Sequence, residues 1–375
     1  MPAKPQSPLI FISAGEVSGD VYAAALLRHL LQAAPELGCY GFGGPLSAAA
    51  GLRLLGDLRP QSAVGLSENL GHLPFFRVQL QRACAWLRAV RPAAVVLIDF
   101  QGFNLALAAE ARRLHLPVYY LMAPQDWLWS VPWQKQPRPE LSSLRALFSV
   151  FPPEAAFYQA QGLPVVTLGH PLLDLLPQGL SRQAVRQQLG LPQHQHLICL
   201  MPGSRKTEVQ RLAPVLMALQ QKLPASWQYL LPEADAFLSP WLQPLQGQRI
   251  PMQQRYLAML AADLLVGASG NMVLEAALLG RPVIALYKVS ALSAALARRL
   301  LRSPWISLPN ILLGDALVRE FVQSFPLDSL EESVHAELQM PQKWLQIQDC
   351  LQDTLGPPGA LQRAAAYLLE DIKSC

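Results

Sequence analysis

The sequence predicts an α/β protein made of two halves, each a parallel sheet flanked by helices. Three observations carry that expectation. Leu9 to Ser13 is a short run of branched and aromatic residues that breaks at Gly15-Glu16-Val17-Ser18-Gly19-Asp20, and a helical pattern begins at Val21. A buried strand ending in a Gly-rich turn before a helix opens many α/β domains and places ligands at the carboxyl ends of strands. The strand–helix rhythm then persists, which argues for parallel pairing with helices on both faces. Finally, the same logic restarts after the polar stretch Pro177 to His196, and 375 residues are enough for two domains of ordinary size. The expected division is 1–176, 177–345, and a helical tail over 346–375 that packs back on the first domain.

Composition bounds the function classes. The chain is 51% hydrophobic and 15% charged, so it has material for a large core and an apolar surface. No run approaches the roughly 18 apolar residues that a membrane span needs. The apolar surface suits contact with a bilayer or an acylated substrate, although a Leu/Ala-rich genome would give the same composition. A net charge of +4 is compatible with anionic lipids or phosphorylated substrates and too small to argue for nucleic acid. Cys39, Cys84, Cys199, Cys350 and Cys375 are scattered without metal-ligand spacing, as in a reduced cytosolic protein. The opening MPAKPQSP carries no apolar signal core, so no secretory signal is expected.

In the first half, Cys39 to Phe42 reads as a second strand ending in Gly41-Phe42-Gly43-Gly44-Pro45, which either turns the chain or cradles a phosphate. Val64, Leu66, Leu70, Leu73, Phe75 and Phe76 crowd a segment broken by Gly71 and Pro74. Two short helices packed on the sheet and an exposed apolar lip touching membrane both fit that pattern. Ala93 to Ile98 is a buried-strand run that ends in Asp99, where α/β enzymes keep catalytic acids; Asp99 or Asn104 could equally cap the next helix. Val118 to Met122 leads into Ala123-Pro124-Gln125-Asp126-Trp127-Leu128-Trp129, a loop with two tryptophans and a carboxylate that fits a ligand-lining position. Leu147 to Val150 and Val165 to Leu168 continue the rhythm, and the latter ends in Gly169-His170-Pro171.

In the second half, Leu197 to Met201 reads as a strand, Pro202-Gly203-Ser204-Arg205 as its turn and Thr207 to Gln221 as a helix. Trp227 to Leu231, Ala262 to Val266 and Val283 to Leu286 are further strands. Ala268-Ser269-Gly270-Asn271 opens a helix over Met272 to Leu279 that carries Glu275. Ile306 to Gly314 reads as a loop because of Pro309-Asn310, and the last helix spans Leu361 to Ile372.

Two turns that open helices after strands, Gly203-Ser204-Arg205 and Ser269-Gly270-Asn271, let backbone amides approach an anion that the helix dipole favours. Arg205 adds a cation suited to phosphate oxygens. Together with Glu275 they fit a nucleotide diphosphate with its ribose, while ordinary capping fits each turn taken alone. The sequence has no GxxxxGK[ST], no GxGxxG after the first strand, no GxSxG, no HExxH and no Cys/His cluster, which speaks against nucleoside-triphosphate hydrolysis, dinucleotide redox chemistry, serine hydrolysis and metal catalysis. The first half supplies Glu16, Asp20, Asp99, Asp126 and His170, and a desolvated carboxylate can serve as a general base.

Taken in order, AGEVSGD (Ala14 to Asp20), GFGGP (Gly41 to Pro45), Ile98-Asp99 with Phe103-Asn104, Gly169-His170, PGSRKTEV (Pro202 to Val209), ASGN with Leu274-Glu275, and SLPNILLG (Ser307 to Gly314) resemble the lipid-A-disaccharide synthase family from about Leu9 to Gln323. The resemblance implies a GT-B fold, two Rossmann-like domains facing a central cleft. It also implies inverting, metal-independent transfer from UDP-2,3-diacylglucosamine to 2,3-diacylglucosamine 1-phosphate, giving a β-1′,6 disaccharide plus UDP, with no cofactor. The implied location is cytoplasmic, on the inner leaflet of the inner membrane, and a homodimer is left open. Carried onto this chain, Asp99 matches the family's essential aspartate and Glu16 is its rival as base. Ser18, Asp20, Asp126 and His170 fall on the acceptor side. Gly203, Ser204, Arg205, Ser269, Gly270, Asn271, Glu275 and Asn310 fall on UDP. The segment with Val64, Leu66, Leu70, Leu73, Phe75 and Phe76 matches the family's membrane-facing surface.

The chain departs from the family pattern at Gly102, where a second acid is usual, at Asp126 within the tryptophan loop, and at Asn271, where threonine is usual. The first two fall on the acceptor side. A UDP-sugar enzyme with another acceptor, a UDP-N-acetylglucosamine 2-epimerase and a non-catalytic nucleotide-sugar-binding module are the alternatives.

Overall fold

The computed structural model describes residues 8–62, 73–130, 138–233 and 238–374. Two units divide the chain, Met1–Asp174 with Leu355–Cys375, and Leu175–Thr354.

The first unit holds seven strands: β1 (Leu9–Ala14), β2 (Gly38–Phe42), β3 (Arg53–Gly56), β4 (Ala94–Ile98), β5 (Val118–Leu121), β6 (Ala146–Ser149) and β7 (Val165–Thr167). They lie in the order β3-β2-β1-β4-β5-β6-β7, and every neighbouring pair is parallel. The connecting helices are α1 (Val17–Ala33), α2 (Pro45–Ala49), α3 (Arg59–Ser62), α4 (Leu73–Val90), α5 (Gln101–Arg113), α6 (Pro152–Gln159) and α7 (Leu172–Leu175). β1 and β4 are buried almost throughout, as strands covered on both faces must be. After β1 the chain moves to one side of the sheet and after β4 to the other. The crevice at that reversal is where open α/β sheets bind ligands.

The second unit repeats the plan. Its strands are β8 (Leu197–Met201), β9 (Gln228–Pro232), β10 (Gln248–Ile250), β11 (Leu264–Ala268), β12 (Val283–Tyr287) and β13 (Arg319–Val322). The order β10-β9-β8-β11-β12-β13 is again all parallel, with the reversal between β8 and β11. Its helices are α8 (Arg182–Gln188), α9 (Lys206–Lys222), α10 (Ser239–Leu242), α11 (Arg255–Ala261), α12 (Asn271–Leu278), α13 (Ala291–Leu300), α14 (Leu308–Leu313), α15 (Leu327–Leu338) and α16 (Pro341–Leu355). α9 buries Val209, Leu212, Leu216 and Leu219 against β8, β9 and β11, an apolar stripe at helical spacing.

The terminal helix α17 (Ala360–Ser374) belongs to the first unit and lies along α1. Side chains from β5, β6 and the β5–β6 connection hold it, together with a main-chain oxygen beyond β7. The Asp371 carboxylate accepts from Arg145 Nη2 at 2.6 Å and from the Tyr119 hydroxyl, and the Tyr367 ring meets Phe148 edge-on at 5.5 Å. Leu168 O, just beyond β7, accepts from Arg363 Nε at 3.1 Å.

Several local expectations change. Residues 73–90 form one helix with no break at Pro74, because Pro74 sits in the first turn, where no intrahelical amide is required; Gly71, the other expected break, lies outside the described residues. Val64, Leu66 and Leu70 lie outside the described residues. SLPNILLG is helical rather than a loop for the same reason: Pro309 occupies the first turn of α14, and Gly314 closes it at φ +70°. β3, β10 and β13 were not legible in the sequence. All three are short edge strands with charged or polar residues among their few positions. Among the described residues, no helix is long and apolar enough to cross a membrane.

Candidate functional site

In the first unit, the turns after β1 and β4 bring the principal acids to the crevice. Glu16 is the half-buried N-cap of α1, with its backbone in the β region, and Ser18 follows in the first turn. Asp99 ends β4. It and Phe100 both adopt left-handed backbone, at φ +50° and +48°. Two consecutive non-glycine residues in that region cost on the order of 1–2 kcal/mol each, and such strain is stored at functional sites.

Asn104 and Tyr120 hold this geometry. The buried Asn104 Nδ2 donates to Asp99 O at 2.7 Å and Ile98 O at 3.2 Å, while its Oδ1 accepts from Ser13 Oγ at 2.6 Å. The Tyr120 hydroxyl donates to the same Asp99 carbonyl at 3.0 Å. Asn104 therefore ties the ends of β1 and β4 together instead of capping α5, whose N-cap is Phe100. The two loops also pack face to face. A Cβ on Gly15 would fall 2.1 Å from the Phe100 ring, so only glycine lets them approach this closely.

Asp20 is fully buried and has a structural task. Its Oδ1 accepts from Gly44 N at 2.7 Å, Ser47 N at 3.0 Å and Ser47 Oγ at 2.5 Å, and its Oδ2 from Leu46 N at 3.1 Å. The carboxylate thus clamps the start of α2 onto α1, and the Gly44 amide of the GFGGP turn is committed to it. Asp126 is also buried. It forms a two-point ion pair with Arg138, at 2.6 and 2.8 Å. That arginine answers the carboxylate that departs from the family pattern in the tryptophan loop. The Trp127 indole N–H beside it is buried without a hydrogen-bond partner, and its ring lies 5.8 Å from Phe151.

His170 lies against Phe151 at 4.9 Å, and its Nδ1 accepts from Leu172 N at 3.1 Å. Complete burial pulls its imidazole down to about 3, so it stays neutral at physiological pH and serves as an apolar wall with one acceptor. Phe76 stacks toward Phe100 and Phe103 at 5.7 and 6.4 Å, and Phe75 also packs on the core. Of the described lip residues only Leu73 stands well out, at 55% exposure. A side chain at Gly102 would meet open space, so the acid usual at this position would fit here without rearrangement.

In the second unit, the turns after β8 and β11 flank the other reversal. Gly203 takes φ +122°, and a Cβ there would fall 2.6 Å from Glu208 Oε2 and 3.4 Å from Ala268 Cβ. Ser204 N and Arg205 N donate to Glu208 Oε2 at 3.2 and 3.3 Å, and Arg205 Nη1 approaches Oε1 at 3.4 Å. A carboxylate of the chain itself thus occupies the amides that open the 17-residue helix α9, which is the place such a helix offers to an anion. Ser269 Oγ donates to Ile306 O at 3.5 Å, joining the β11 turn to the segment before α14; Gly270 faces open space, and Asn271 starts α12.

Glu275 is buried on α12. Its Oε1 accepts from Arg255 Nη2 at 2.7 Å and from the Tyr256 hydroxyl at 3.2 Å. Burial pushes its carboxyl above the usual carboxylate range, and Arg255 pulls the other way. Asn310 is buried and internally bonded: its Nδ2 donates to Val318 O at 2.9 Å and Glu320 Oε1 at 2.8 Å, and its Oδ1 accepts from Val318 N at 2.7 Å. Glu320 also accepts from Ser307 N and Oγ and from Ile306 N. Asn310 and Glu320 therefore fix the SLPN segment in place. Sequence reasoning missed Arg138, Glu208 and Glu320, each a charged partner distant in sequence or hidden in a helix's first turn or an edge strand.

The chain was compared with known proteins. The family model described as Lipid-A-disaccharide synthetase matches residues 10–353. The lipid-A-disaccharide synthase of Syntrophus aciditrophicus is 35% identical over 381 residues, covering 98% of each chain. That of Synechocystis is 36% identical, covering 96% of this chain and 97% of its own. Among solved structures, UDP-GlcNAc 2-epimerase from Neisseria meningitidis bound to UDP-GlcNAc superposes with a TM-score of 0.62 at 14% identity, over 96% of this chain and 99% of its own. The calicheamicin glycosyltransferase CalG4 superposes with a TM-score of 0.57 at 13% identity, over 98% and 99%. At those identities the two structures speak to the fold, which is GT-B type.

Proposed function

The chain belongs to the lipid-A-disaccharide synthase family and is a glycosyltransferase of lipid A disaccharide synthesis, and we propose that it joins UDP-2,3-diacylglucosamine to 2,3-diacylglucosamine 1-phosphate with inversion at the anomeric carbon. The observation that carries this reading is the contrast between the two strand reversals. The first is flanked by Glu16 and the strained Asp99, and the second by amide-bearing helix starts with Arg205.

In the proposed reaction, Asp99 takes the proton of the acceptor 6-hydroxyl, with Glu16 as the rival base. The freed oxygen attacks C1 of the donor, the bond from C1 to the diphosphate oxygen breaks, and UDP departs with the electron pair. Arg205 and the amides of Gly270 and Asn271 receive the diphosphate charge, a stabilisation that grows as the bond breaks, and the amides of Ser204 and Arg205 join them once Glu208 gives way. Glu275 is assigned to the ribose, and Asn310 acts by holding its segment. Asp20, Asp126 and His170 shape the acceptor side through packing and ion pairing. Both substrates carry acyl chains, so the protein works at the inner leaflet of the cytoplasmic membrane, with the segment around Leu73 at the lipid.

The test is incubation of the pure protein with both diacylated sugars, following UDP release and disaccharide by mass. Stoichiometric formation of both supports the reading. UDP-N-acetylglucosamine turnover with no diacylated acceptor present would refute it and favour a UDP-sugar enzyme of different acceptor.

A further inference from the structure

α13 and the residues around it form an exposed surface that the transfer reaction does not use. Lys288 to Trp305, KVSALSAALARRLLRSPW, contains Lys288, Arg298, Arg299 and Arg302 and no carboxylate, and all four cations are exposed. The chain's whole net charge is only +4, so this segment concentrates positive charge in an otherwise nearly balanced protein.

α13 is also poorly embedded. Ser290 caps it by accepting from Ser293 N. Of its residues with described side chains, Ala294 alone is buried, and Leu296 is 50% exposed. By comparison, α9 seats a full apolar stripe in the core. A ten-residue helix gains little stability alone in water, so an exposed leucine and a cluster of arginines on it call for a partner. A second copy of the chain docking by this face would place like charges against one another across a two-fold axis.

We infer that α13 and its flanks form a second lipid-contacting element, lying in the headgroup layer of an anionic bilayer. Leu296 enters the acyl boundary, and Arg298, Arg299, Arg302 and Lys288 meet lipid phosphates. This is the amphipathic, basic composition that binds in the interface plane. The inference rests on the charge and exposure of the segment and is independent of which sugar is transferred.

The test is sedimentation of the full chain with phosphatidylcholine vesicles, with and without phosphatidylglycerol. The wild type partitions onto the anionic vesicles and is released by salt. Each arginine contributes roughly fivefold, so the Arg298→Gln, Arg299→Gln, Arg302→Gln triple variant loses roughly a hundredfold in partitioning. It keeps its UDP affinity, and it turns over detergent-dispersed substrates at the wild-type rate while slowing on vesicle-embedded ones. Should the triple variant lose its UDP affinity, Leu296→Ser is read instead, with the expectation of a several-fold loss. Wild-type partitioning by a folded variant, or equal binding to neutral and anionic vesicles, would overturn the inference. Failure of transfer with intact, arginine-dependent binding would sink the proposed reaction and leave this element standing.

Discussion

The side-chain amide of Asn104 donates to the main-chain oxygen of Asp99 at 2.7 Å, and so the left-handed turn that presents the Asp99 carboxylate is fixed by a residue one helical turn beyond it. Asn104→Ala removes this bond and leaves Ser13 Oγ and three carbonyls with one partner fewer. An unsatisfied buried group costs about 1–3 kcal/mol, and the midpoint of chemical denaturation should fall accordingly. Transfer should fall further than stability predicts, because Asp99 loses its orientation. Unchanged kcat in the folded variant would show that Asn104 does not position Asp99.

Arg138 balances the buried carboxylate of Asp126. Breaking a buried pair from one side leaves an uncompensated charge and is destabilising by about 3–5 kcal/mol. Arg138→Met should show that loss in urea unfolding, and adding Asp126→Asn should recover most of it. If Arg138→Met alone is neutral, the pair is not holding the tryptophan loop.

His170 sets a pH dependence. The free imidazole titrates near 6.5, while the buried one is pulled down to about 3. Between those values the unfolded chain binds one more proton, so this group's contribution is intact above the unfolded value and falls as pH drops toward 3, with a limiting slope of about 1.4 kcal/mol per pH unit. Glu154 acts in the opposite sense. Burial raises it to about 7, so its contribution is full below the ordinary carboxyl range and is lost as pH rises through 7. Stability of the wild type and His170→Asn, measured from pH 7 to pH 4, isolates the first term, and the variant should show the shallower decline. Parallel curves would mean that His170 is not buried as a neutral ring.

Arg205 and Glu208 share the amides that open α9. In the proposed reaction Arg205 meets the diphosphate, so Arg205→Ala removes that cation and leaves the Glu208 carboxylate at the same amides without its counter-charge. A hydrogen bond to a charged group contributes about 1.5–3 kcal/mol, so calorimetric UDP affinity should drop roughly ten- to hundredfold, and kcat should also fall. Unchanged UDP affinity would remove Arg205 from the donor site.

The central strands and the turns after β1, β4, β8 and β11 were legible in the sequence because a fully buried strand must be continuously apolar and must stop at a turn. β3, β10 and β13 escaped because edge positions relax that demand. Asp99 and Glu16 could be singled out because acids at strand ends are conspicuous in a chain with few charges. The tasks of Asp20 and Asn310 could not, since both are satisfied by main-chain groups 24 to 27 and 8 residues away, a pairing that only the folded register creates. Pro74 and Pro309 misled for one reason: proline breaks a helix interior and also begins a helix well.

The measurement that bears most directly on the proposed chemistry is the transfer rate of Asp99→Asn alongside its UDP dissociation constant. The substitution keeps the shape and removes the proposed base. Loss of transfer by at least a hundredfold, the low end of what a general base contributes, with UDP affinity unchanged is the expected result. A variant that transfers at the wild-type rate would contradict the assignment of Asp99 as the group that deprotonates the acceptor.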